Sequence, residues 1–139
     1  MQALKKIEEH RSFDRKIIWT LAVLFIASGL FKFSGQPLLS EVFVRWGYPD
    51  WFVYFAGGIE LIGGLMLLKP KTLFYGALLL AWQMFGAAFT HVLHAEAFLS
   101  FLPLALMVIL IQIAHHYSQP IVKQVARLLN WDAVDYKRP

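Results

Sequence analysis

The sequence predicts an all-α integral membrane protein: a four-helix transmembrane bundle with a short interfacial helix in the first loop and a C-terminal amphipathic helix. Three observations lead there. Four apolar runs, each roughly 17–22 residues, match the length a helix needs to cross a hydrocarbon core of about 30 Å. The composition is 58% hydrophobic and only 16% charged, with a mean hydropathy of +0.55. A soluble domain is about half apolar and a quarter charged, so the surplus apolar surface calls for lipid as its solvent. The basic residues flank the apolar runs instead of gathering on one face. The net charge of +4 is therefore a topology signal and not a nucleic-acid footprint.

The 139 residues make one domain. Residues 1–16 read as a cytoplasmic N-terminal segment, 17–116 as the four-helix transmembrane domain, and 117–139 as a cytoplasmic amphipathic tail. The first run, Ile17 to about Phe33, is long for the core of a cleaved leader and is read as a retained span. Pro37 opens the interfacial helix; Leu38, Leu39, Val42, Phe43 and Trp46 fall on one face of it, and Gly47-Tyr48-Pro49 ends it. The second run extends from Trp51 to Leu68. Lys69-Pro70-Lys71 turns the chain, and Thr72 is placed to cap the third run, Leu73 to Leu93. His94-Ala95-Glu96 leads into the fourth run, Ala97 to Ala114, where Glu96 is a favourable charge at a helix N-terminus and Pro103 predicts a kink. Past Pro120, the stripe Ile121, Val122, Val125, Leu128 and Leu129 opposes Lys123 and Arg127, the pattern of a helix lying on an anionic leaflet.

Orientation follows from the cations. Eleven of the thirteen Lys and Arg lie on the side of the termini and the 69–72 turn. Arg45 stands on the other side, with Lys32 near that end of the first run. Both termini are thus expected in the cytoplasm, which in a bacterium makes this an inner-membrane protein. Cysteine is absent, so disulfides, thiol catalysis and thiolate-held metal or iron–sulfur centres are excluded. A redox role would need a bound cofactor or substrate, and none is expected to be covalent.

Ionisable groups at membrane depth are costly and normally face the bundle interior. Lys32 and Glu60 are the clear cases, with Glu60 about 14 Å below the outer end of its run. Ser28, Gly29 and Lys32 share one helical face, and Gly57, Glu60, Leu61 and Gly64 another, with small residues that let backbones approach. Two readings fit: Lys32 snorkels outward while Glu60 makes a structural contact, or the two form a pair or a Glu60-centred pocket. The third run carries the longest polar stripe: Gly76, Gln83, Gly86, Ala87, Thr90, His91 and His94 recur at spacings of three and four. Interfacial hydrogen bonding and a ligand-lining role both fit the two histidines; a metal ion fits them least. Axial haem ligation is argued against, because His115 and His116 lie nearly a full span away. The candidate ligand-binding residues are therefore Lys32, Glu60, Gln83, Thr90, His91 and His94.

The segments Ser28-Gly29-Leu30-Phe31-Lys32, Gly47-Tyr48-Pro49 and Gly58-Ile59-Glu60-Leu61-Ile62-Gly63-Gly64-Leu65 resemble the DoxX-like family of small four-helix membrane proteins. Gly86-Ala87-Ala88-Phe89-Thr90-His91 is similar to that family's third-helix segment, and the likeness covers roughly residues 17–114. The resemblance implies association with membrane oxidoreductase systems, which include a subunit of a thiosulfate:quinone oxidoreductase; more distant relatives are linked to receptor assembly and secretory transport. The leading expectation is a membrane subunit that holds a quinone or other amphipathic small molecule in a polar pocket open to the outer leaflet, with the redox centre on a partner. An assembly factor or chaperone and a small transporter are the alternatives. The expected partners are the lipid bilayer, the hydrophobic ligand and a membrane oxidoreductase; self-association is compatible with the same faces, and nucleic acid is not a partner.

Overall fold

The computed structural model describes residues 2–128, with side chains described for residues 15–118. It is all helical: α1 Gln2–Phe33, α2 Pro37–Arg45, α3 Phe52–Leu67, α4 Leu73–Leu93, a 3₁₀ turn Ala97–Ser100, and α5 Phe101–Leu128. Three segments are long and apolar enough to cross a membrane: Arg15–Phe33 within α1, Leu73–Leu93, and Ala97–Ser118. The fourth apolar helix, α3, has 16 residues, about 24 Å of rise. Its flanks Trp51 and Leu68 keep αR dihedrals and add length at both ends. Among the described residues there is no β-strand, as backbone in lipid requires unless a barrel closes.

The helices pack in series, α1 on α3, α3 on α4 and α4 on α5, while α2 touches α3 lightly. Ile18, Leu21, Ala22 and Phe25 of α1 meet Leu67 of α3, Ala77 and Leu80 of α4, and Leu110 and Ala114 of α5. This apolar core fills the half of the molecule nearest the 69–72 turn; Phe25, Leu67, Leu80 and Leu110 are fully buried. The buried polar residues Glu60, Thr90 and Ser100 lie away from it, toward the opposite end. Outside, Val23, Leu30, Ile62, Trp82, Phe89 and Val108 are exposed. Large apolar side chains on the outside of a packed interior are the mark of a lipid-facing surface.

Several boundaries differ from the sequence reading, each for a local reason. α1 begins at Gln2, so the polar segment before Ile17 continues the same helix. Pro103 sits in the first turn of α5, just after the 3₁₀ turn, where its missing N–H has no intrahelical partner to lose, so it lies at the start of that helix and not in its interior. α5 runs on through Pro120 to Leu128 as one helix with the fourth span. The stripe expected over 121–129 and the tail to Pro139 fall on side chains or residues outside those described. Thr72 does stand at the N-cap of α4, but its hydroxyl donates to Met66 O at 2.9 Å and Lys69 O at 3.3 Å. It ties off the carbonyls ending α3 and makes no cap bond to α4.

Candidate functional site

The site begins where α1 and α3 cross. A Cβ added at Gly29 would lie 2.7 Å from Gly57 O, and one at Gly57 would lie 2.8 Å from the Lys32 Cβ. Only glycines allow this approach, and it brings the Lys32 stem alongside α3. Lys32 Nζ then donates to Glu60 Oε2 at 2.7 Å and to Ser28 Oγ at 2.9 Å. Gln83 of α4 closes the other side: its Nε2 donates to Ala56 O at 3.0 Å and to Glu60 Oε1 at 3.3 Å. Glu60 is 5% exposed. Both of its oxygens are used, by a cation from α1 and an amide from α4. A buried carboxylate is tolerable only when held this way. Of the two readings of Lys32 and Glu60, the pair is the one formed.

The outer part is assembled by turns. α2 ends in a Schellman motif: Gly47, at φ +83°, donates its N–H to Val44 O, and Tyr48 N–H donates to Phe43 O. This turn sets Tyr48 so that its hydroxyl meets Thr90 Oγ1 at 2.7 Å. Thr90 Oγ1 itself donates to Gly86 O at 2.9 Å, so Tyr48 is the donor to Thr90. The end of α4 repeats the motif: Ala95, at φ +59°, donates to Val92 O and Glu96 N–H donates to His91 O. The chain thereby folds back, and His91 Nδ1 meets Glu96 Oε2 at 2.9 Å. Glu96 stands at the N-cap of the 3₁₀ turn without a side-chain cap hydrogen bond, and its carboxylate also makes this contact with His91. With Nδ1 given to a carboxylate, Nε2 of a neutral His91 ring is an acceptor.

These elements enclose a cavity of about 430 Å³, within the range of about 300–1,000 Å³ typical of small-molecule sites. Lys32, Glu60, Gln83, Thr90 and His91 all line it. His94 does not: it lies one turn beyond His91 at the C-cap of α4, and its Nδ1 donates to Thr90 O at 2.8 Å. The remaining wall is aromatic and aliphatic, with Leu39, Val42 and Phe43 from α2, Phe52, Phe55 and Ile59 from α3, and Trp82 from α4. Trp46 leans edge-on against the His91 ring with centroids 5.1 Å apart. Tyr48 stacks on Phe52 at 4.3 Å. A side chain at Gly86 would meet nothing within 4 Å, so that helix face is open to the cavity.

Sequence reasoning missed Trp46, Tyr48 and Glu96 as parts of this site. Trp46 was legible only as one apolar position of an interfacial helix. Gly47 did signal a turn after α2, but not where the next side chain would point. No signal marked Ala95 as a left-handed residue.

Residues 18–113, more than half of the chain, match the model of a family described as the DoxX-like family. No curated protein and no solved structure matches the chain.

Proposed function

As the chain belongs to the DoxX-like family, we propose that it is a membrane protein whose four apolar helices cross the bilayer with both termini in the cytoplasm, and that it binds an amphipathic small molecule. The single observation behind the second half is the aromatic cavity of about 430 Å³ with its polar groups spread over α1, α3 and α4. A quinone-like ligand suits such a space: an apolar slot takes the ring and tail, and Lys32, Gln83, Thr90 and His91 offer hydrogen bonds to the head. In this reading α2 forms the wall toward the outer leaflet, from which a lipid-soluble ligand enters. The protein supplies binding and orientation, and electron transfer belongs to an oxidoreductase partner in the same membrane.

Gly86 provides the test. Gly86 lines the cavity and a Cβ there would meet nothing within 4 Å, so a leucine is the substitution expected to occupy the cavity at least cost to its wall. Native protein and Gly86→Leu are purified side by side in detergent, extracted with organic solvent and compared by mass spectrometry. The expected result is an amphipathic compound enriched in the native sample and lost from the variant, with thermal stability retained. Identical extracts from two folded proteins would overturn the ligand-binding reading. External labelling of a cysteine at Gln36, with none at the C-terminus, is the expected topology result.

A further inference from the structure

Resting on the reading of this cavity as a small-molecule site, we infer that its ligand is a lipid with a small polar head and a long apolar chain, held head inward, and that the chain leaves sideways into the bilayer through a window between α3 and α4. Most of the cavity wall is shut. Of the residues that line it, Phe55 of α3 and Trp82 and Gly86 of α4 are exposed, and every other one is half-buried or buried. On the α1 side the backbones meet at Gly29 and Gly57, and the Lys32–Glu60 pair stands behind them. On the outer side α2 and the turn after it are fastened by Phe43 against Phe52, by Trp46 against His91 and by Tyr48 on Thr90. The α3–α4 edge lacks such a closure, since a Cβ at Gly86 would meet nothing within 4 Å.

That edge faces hydrocarbon. α4 ends at Leu93. A rise of about 1.5 Å per residue puts Gly86 about 10 Å and Trp82 about 16 Å below that end, which is acyl-chain depth in a core about 30 Å thick. Ile62 of α3 and Phe85 and Phe89 of α4 are exposed apolar side chains as well, so the window is framed by lipid-facing surface. Trp82 is 74% exposed. Tryptophan usually collects at the membrane interfaces, where its N–H reaches water. Near mid-membrane Trp82 is out of place as an interfacial anchor, and its broad ring borders an opening. The cavity is also polarised along this direction. Lys32, Glu60 and Gln83 form the inner wall, bonded to one another, and Phe55 and Trp82 form the rim. A head group that can hydrogen-bond is favoured inward, and an apolar chain stays outward in the solvent from which the molecule came. A compact water-soluble compound would have to cross hydrocarbon to reach the window and would leave it unfilled, so the chain is part of what is recognised.

The route of the chain is tested on the full-length protein in nanodiscs with decyl-benzoquinone carrying a diazirine at mid-chain. After illumination, adducts are mapped by mass spectrometry with and without an excess of plain decyl-benzoquinone. The adducts that the plain compound suppresses are expected on the peptides bearing Phe55 and Trp82. Suppressible adducts on α2, α1 or α5 in their place, or none anywhere, would overturn the inference. The chain has no cysteine, which permits a second measurement. Phe55→Cys and Trp82→Cys are combined and bridged with a flexible, cleavable bifunctional thiol reagent. Uptake of the probe is expected to be lost on bridging and restored on cleavage, while either single cysteine carrying the reagent at one end retains it. Uptake that survives bridging would also overturn the inference. Should the double variant fail to fold, the adduct map decides alone. The solvent-extraction comparison of native protein with Gly86→Leu decides the small-molecule site independently of the route.

Discussion

The two ends of the cavity are held in different ways. At the deep end, Lys32 and Glu60 sit on long helices whose backbones touch at Gly29 and Gly57, and Gln83 reaches Glu60 from α4. At the outer end, Tyr48 and Glu96 follow helix termini and are aimed by two Schellman turns onto Thr90 and His91. The deep contacts are charged and nearly dry; the Glu96 side chain of the outer pair is 31% exposed. The difference teaches where rigidity and adaptability lie. Breaking the deep contacts should cost fold stability, whereas breaking the outer ones should chiefly change the shape of the cavity.

The sharpest way to break the comparison is at Glu60. Glu60→Gln leaves Lys32 buried without its counter-charge, and the expected loss is about 3–5 kcal/mol. Adding Lys32→Met should restore much of it. Thermal unfolding in detergent of the single and double variants measures both, and a neutral Glu60→Gln would mean that the deep end is no more rigid than the outer one. Next in size is Gly29→Ala. The new Cβ would press on backbone atoms of α3, which cannot swing aside, and overpacking of this kind costs about 1–3 kcal/mol. It should also separate Lys32 from Glu60, so the Glu60→Gln penalty measured in this background should shrink.

Tyr48→Phe probes the outer end. It removes one hydrogen bond to Thr90, with an expected loss of about 1 kcal/mol. Ligand affinity should fall by more than stability does, as calorimetry and melting on the same samples will show. A stability loss as large as that of Glu60→Gln would erase the distinction between the two ends. The smallest effects come from the two turns themselves, which have the same hydrogen bonds but different residues at the left-handed position. Gly47→Ala should destabilise by roughly 1 kcal/mol and Ala95→Gly should stabilise by up to about 1 kcal/mol. Opposite signs in the two melting curves would confirm that the turns are equivalent in backbone and differ only in strain.

Much of the deep end was legible in the sequence. A charge inside an apolar run has few places to go, and helical spacing put Lys32 beside Gly29 and Glu60 beside Gly57. The stripe on α4 likewise pointed Gln83, Thr90 and His91 to one side. The outer end was much less legible. His94 shares the stripe by spacing, yet α4 ends beneath it and its side chain bonds back to Thr90 O. Glu96 carries a charge near a helix start, yet the left-handed Ala95 turns it back to His91.

The sequence by itself determined that this chain is helical, that lipid is its solvent and that its polar residues face inward, because apolar length, helical period and the cost of buried charge act along one chain. The pairing of Lys32 with Glu60 in place of snorkelling was decided by the distance between two backbones at Gly29 and Gly57, which no single helix specifies. The enclosure of the cavity by Trp46 and Tyr48 was likewise tertiary: a turn's dihedral angles set the direction of the chain after it, and that direction acquires meaning only once another helix lies in its path.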